Sequence, residues 1–187
     1  ILLGADLRTI TIPQLNIFDF DISEFNNKQY LYEKVRKHLK NEPLDKVRKI
    51  INELKQNIKK DAYFELIEKY KSVKLMNWRE LKQLHQLGAT IGSHCKYHIC
   101  CHKNQDIKEI EKQIRESKII LEEKLQSECD FFAYPNGDFT EEANQFVIQS
   151  GYKMGFSVQK KRVEKANNLA IIPRISVPQN LTTFKIL

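Results

Sequence analysis

Between Asn77 and Val158 the chain switches repeatedly between two apolar rhythms. In one, apolar residues recur every three or four positions: Leu81, Leu84 and Leu87, then Ile107, Ile110, Ile114, Leu121 and Leu125, then the stretch 140–150. In the other, the segments are too short to make a helix: residues 89–93, the apolar run Phe131-Phe132-Ala133-Tyr134, and residues 152–158. The first rhythm buries one stripe of a helix and the second fits a strand covered on both faces, so their alternation predicts a layered α/β fold. Local punctuation agrees. Asn77 with Glu80 makes a capping box, Gly88 and Gly151 follow helices, and Pro135-Asn136-Gly137 turns the chain after a strand. A last strand is expected over residues 170–177 around Pro173.

The first third reads differently. Residues 1–29 suggest strand and irregular loop, while residues 30–72 form a helical insert of two or three helices interrupted near Asn41-Glu42-Pro43. At 187 residues and 41% hydrophobic content, the chain has the length and apolar material of one domain, residues 1–187, with its core over 76–177. The formal net charge of +7 could suit a polyanion, but the lysines are spread along helical faces between glutamates, so nucleic acid is not expected as a partner. Four cysteines, two of them adjacent, are too few for a disulfide-built fold and point to a reducing compartment, with the cytoplasm as the expected location. No apolar run reaches the roughly 20 residues a membrane span needs. The chain starts at Ile1 rather than Met, which leaves open an upstream leader or anchor, and with it an envelope or secreted location.

The chemistry sits in Ser93-His94-Cys95-Lys96-Tyr97-His98. Two imidazoles four residues apart, at the C-terminal end of an expected strand, can converge on one divalent metal ion. In α/β folds that end of the strands is where sites gather. Away from such a strand end, the same pair would read as ordinary surface histidines.

Taken in order, several motifs resemble the polysaccharide deacetylases, the NodB-homology domain of carbohydrate esterase family 4. They are Met76-Asn77-Trp78-Arg79-Glu80-Leu81, the approach Gly88-Ala89-Thr90-Ile91-Gly92-Ser93-His94, the His94/His98 pair, Phe132-Ala133-Tyr134-Pro135-Asn136-Gly137, Ser150-Gly151-Tyr152 and Pro173-Arg174-Ile175. The resemblance implies a distorted, seven-stranded (β/α) barrel with His94 and His98 as metal ligands and Zn2+, or another divalent ion, as cofactor. It implies an amide hydrolase that removes N-acetyl or O-acetyl groups from a carbohydrate substrate, for instance a glycan containing N-acetylglucosamine. It also places a transition-state hydrogen-bond donor, a backbone N–H, at Asn136.

The chain departs from the family pattern in four places. The Thr-Phe-Asp-Asp-Gly motif, which supplies a metal-binding and a basic aspartate, is not present, so the resemblance implies an N-terminally incomplete barrel whose aspartate strand precedes Ile1. Phe18-Asp19-Phe20-Asp21 could substitute chemically if its two carboxylates shared one side of an extended strand. Ala133 stands where the family has an arginine, and Arg174 is the candidate for that role; the general acid has no counterpart. Cys95 replaces a usual Ser or Thr, and with Cys100, Cys101 and His102 it opens a rival reading of a structural zinc knot. The missing carboxylates also leave a second functional reading: a catalytically inactive domain that binds a carbohydrate or another partner.

Overall fold

The computed structural model describes residues 2–73, 75–159 and 168–174. The chain divides into two compact units, Ile1–Asn77 and Trp78–Leu187.

In the first unit, β1 (Thr9–Ile12) and β2 (Ile17–Asp21) pair antiparallel around a tight turn at Pro13–Leu15. Asn16 closes the turn in the left-handed conformation with φ 52°, a geometry that Asn tolerates better than most residues. Three helices follow: α1 (Phe25–Asn41), α2 (Leu44–Gln56) and α3 (Lys60–Lys69). Pro43 separates the first two, as its ring and missing N–H require. Helical periodicity buries Leu31 and Val35 of α1 and Ile50 and Leu54 of α2 against Ile10, Ile12 and Ile17 of the hairpin, each side chain contributing about 1.5–3 kcal/mol. The Asn57 amide, just past α2, answers the β1 backbone at both polarities: its Oδ1 accepts from Thr11 N at 2.8 Å and its Nδ2 donates to Thr11 O at 2.7 Å. Lys34, Lys37, Lys55, Lys59 and Lys60 are exposed, as solvated helix faces should be.

In the second unit, α4 (Trp78–Gln86) ends before Gly88, whose φ of 96° turns the chain at no steric cost. Then come α5 (Ile107–Leu125), β3 (Phe131–Ala133), α6 (Glu141–Gln149) and β4 (Met154–Phe156). Two caps begin the helices: Asp106 accepts from Lys108 N at 3.0 Å, and Thr140 accepts from Ala143 N at 3.2 Å. Strands β3 and β4 are parallel. Ser93 extends this ladder on one side through a parallel bridge to Phe132, and Ile172 extends it on the other through a parallel bridge to Phe156. The order 93, β3, β4, 172 is sequential.

The observed architecture is thus α/β, but the described residues form no closed sheet. Of the strand expected over 89–93, only Ser93 pairs with a neighbour, so the run is a single bridge rather than a ladder. The last expected strand is likewise one bridge at Ile172; its residues 175–177, with Ile175 of the Pro173-Arg174-Ile175 motif, lie outside the described residues.

Gly155 shows how tightly the chain packs beside β4. A Cβ there would run into the Ala170 carbonyl, and backbone cannot give way as a flexible side chain would. Gly155→Ala is therefore expected to destabilise the protein by about 1–3 kcal/mol. Urea denaturation reads this directly, and an unchanged midpoint would contradict the packing.

Candidate metal and catalytic site

Ser93 sets the position of the histidine loop. Its N–H donates to Phe131 O and its carbonyl accepts from Ala133 N, each at 2.8 Å, so the backbone is clamped to β3 one residue before His94. Beneath it lies a buried hydroxyl network. Ser93 Oγ donates to Ser117 Oγ at 2.7 Å, Ser117 Oγ donates to Ile114 O at 2.9 Å, and Tyr152 OH donates to the same carbonyl at 3.0 Å. Burial pushes the Tyr152 phenol well above its ordinary value, so it stays a neutral donor.

The next residue, His94, uses Nδ1 to donate to Ala133 O at 2.6 Å. A carbonyl only accepts, so this bond fixes the tautomer and leaves the Nε2 lone pair of the neutral ring available. The His98 ring lies 4.7 Å away between centroids at 79°. Two imidazoles on one tetrahedral ion have centroids roughly 5 Å apart, so the pair fits two positions of a zinc site. Both residues reach the surface, and the His94 ring is partly shielded by its neighbours. Cys95 and His98 have φ of 61° and 53°, which curls the intervening chain tightly enough to bring the rings together.

Among the described residues, no group of three or more His, Cys, Asp or Glu is placed to hold a metal ion. A zinc knot around His98 and Cys101 is therefore not formed there. The cysteines have other partners: Cys95 and Cys101 lie 3.9 Å apart between sulfurs, and Asn136 Nδ2 donates to Cys100 Sγ at 3.1 Å. The hydrogen bond to Cys101, followed by burial, pushes the Cys95 thiol well above its ordinary range, so it is a protonated thiol at neutral pH.

Asn136 lies in the turn after β3 with φ 55°. The turn's own bonds run from Gly137 N to Tyr134 O and from Asp138 N to Pro135 O, so neither consumes the Asn136 N–H. Arg174 anchors its guanidinium by donating Nε to Ser157 O at 2.9 Å, and its charge helps to lower the proton affinity of His94. The structure thus brings His98 and Arg174 within electrostatic reach of His94.

Asp19 and Asp21 are engaged within the hairpin itself. Asp19 has φ 45° beside a register shift in the β1–β2 pairing. Its Oδ1 accepts from Thr11 Oγ1 at 3.3 Å, and Asp21 Oδ1 accepts from Ser23 N at 2.8 Å and Ser23 Oγ at 2.6 Å. The bonds from Ser23 hold the Asp21 carboxyl below its ordinary value. Both carboxylates serve the hairpin of the first unit.

Sequence reasoning also passed over Gln113 and Ser117. Their signal is present in α5, where the buried stripe reads Ile110, Gln113, Ile114, Ser117: polar groups at core positions that need buried partners.

A model of the polysaccharide deacetylase family matches residues 41–155, more than half the chain and including both histidines. The chain belongs to that family. Two solved structures share the fold. The Streptococcus pyogenes deacetylase PplD in complex with acetate has 21% identity and a TM-score of 0.52, over 58% of this chain and 48% of that one. IcaB from Ammonifex degensii has 16% identity and a TM-score of 0.50, over 60% of this chain and 52% of that one. The chain therefore spans about half the length of each. No curated protein sequence matches it.

Burial lowers the His94 pKa from 6.5, with the bond to Ala133 opposing and the nearby His98 and Arg174 adding to the fall. In metal-free protein its ring should titrate below 6.5 and be neutral at pH 7. Because the unfolded chain then binds more protons, this group's share of stability is present above the unfolded value and is lost as pH falls toward the folded one. Histidine NMR titration tests this, and a His94 midpoint at or above 6.5 would contradict it.

Proposed function

We propose that the chain acts in metal-dependent hydrolysis of acetyl groups from a carbohydrate polymer or oligosaccharide, with an N-acetylglucosamine-containing glycan as the substrate class. Membership of the polysaccharide deacetylase family supports the chemistry. The observation that carries the reading to this chain's own residues is the paired imidazoles at the end of the Ser93 bridge, with His94 locked by Ala133 O. His94 and His98 would hold the ion, Zn2+ or another divalent metal. Such an ion, when bound, polarises an amide carbonyl and acidifies water.

The chain's own groups have distinct tasks. The Asn136 N–H, left unused by its turn, is the donor for negative charge developing on the carbonyl oxygen. Arg174, anchored by Ser157 O, orients a carboxylate through its remaining N–H groups. Hydrolysis adds the hydroxyl of water to the acyl carbon and a proton to the sugar nitrogen, giving acetate and a free amine. Acetate is also the molecule bound by the Streptococcus pyogenes deacetylase of similar fold. No described residue is assigned as general base or general acid.

One observation favours a second reading, a catalytically inactive carbohydrate- or partner-binding domain: the described residues offer two metal-ligating side chains at the site rather than three. Acetate release from N-acetylglucosamine oligomers separates the two readings. The hydrolase reading predicts release that needs added Zn2+, stops with a chelator, and falls to background in His94→Ala. Arg174→Ala should lower the rate by roughly 10-fold or more, the scale on which a positioned charged hydrogen bond acts. Oligomer binding without release by the full chain would favour the inactive domain.

A further inference from the structure

The loop that carries the two histidines is held from below by a residue assigned no role above. Gln113 is 1% exposed on the buried stripe of α5. Its Oε1 accepts from Tyr97 N at 2.8 Å, and its Nε2 donates to Glu109 Oε1 at 2.8 Å. Tyr97 immediately precedes His98, so the amide grips the backbone between the two imidazoles. The orientation of the amide is determined at both ends, because an N–H needs an acceptor and a carboxylate needs a donor. A flipped amide would lose both bonds. One turn further along α5, Glu116 accepts from Lys96 Nζ at 2.8 Å, on the same loop, but that pair is partly exposed and contributes little.

The loop has reason to need such a hold. Cys95 and His98 both adopt left-handed backbone, a conformation that costs non-glycine residues energy and persists only where neighbours enforce it. Ser93 clamps one end to β3, and the amide of the buried Gln113 holds the other. We propose that Gln113 is a positioning residue for metal binding: by fixing Tyr97 N it sets the direction of His98 relative to His94. It touches neither ion nor substrate. The inference rests on the assignment of His94 and His98 as ligands, and it names what in this chain aims the second of them.

Zn2+ affinity measured by calorimetry on the full chain, at neutral pH, tests it. Gln113→Met keeps the length and the apolar contacts and removes both hydrogen bonds. Loss of a residue that orients a ligand typically costs 10–100-fold in metal affinity. We expect a fall of that size for Gln113→Met. For Gln113→Glu, which keeps the acceptor for Tyr97 N, we expect a smaller fall. Wild-type affinity in a folded Gln113→Met protein would overturn the inference while leaving the two ligands standing. No Zn2+ binding by the wild-type chain would overturn the ligand assignment itself, and this inference with it. Should Gln113→Met fail to fold, amide exchange in the wild-type protein decides: a slowly exchanging Tyr97 N–H supports the grip, and exchange at the rate of an open loop overturns it.

Discussion

Everything at the candidate site depends on the parallel bridge between Ser93 and Phe132. Two backbone hydrogen bonds of 2.8 Å fix where the chain leaves the sheet. The strand geometry then determines where the next side chain goes. His94 is delivered to the Ala133 carbonyl, which accepts a hydrogen bond from its Nδ1–H and leaves Nε2 available. Had the chain left β3 one residue earlier or later, alternation would have sent the imidazole to the other face.

The second imidazole cannot be placed by the sheet, because the chain has already left it. Its position comes instead from a curled loop with two left-handed residues, clamped at one end by Ser93 and gripped from α5 by Gln113. Under the loop, Ser93, Ser117 and Tyr152 share a hydroxyl network that leaves none of the three unbonded in the core. Buried polar groups that are fully paired rigidify their surroundings, whereas unpaired ones destabilise them. The site thus combines surface imidazoles with a buried, fully hydrogen-bonded support.

Much of this was legible in the sequence, and the exceptions have physical causes. The helices could be read because periodicity records burial of one face, and α2 and α5 show it plainly. The strands could be read as positions but not as ladders: residues 89–93 lie between a helix stop at Gly88 and a loop, as a strand would, yet pairing depends on a neighbour elsewhere in the chain, and of these residues only Ser93 finds one. The histidine pair stood out because imidazoles at H-x3-H spacing are chemically distinctive. Gln113 did not, because a glutamine on a helix is ordinary until its burial is known. Asp19 and Asp21 are taken up within their own hairpin by Thr11 and Ser23, bonds that composition does not announce. Of the distorted, N-terminally incomplete barrel implied by family resemblance, the described residues of the second unit show four sheet segments in sequential order and no closed sheet.

The most direct test of the central claim is a crystal structure of the zinc-loaded protein with anomalous data at the zinc edge. One peak is expected about 2.0–2.1 Å from Nε2 of His94 and from a ring nitrogen of His98, with His94 Nδ1 still on Ala133 O. A peak between the Cys95 and Cys101 sulfurs, with the imidazoles left unligated, would contradict it.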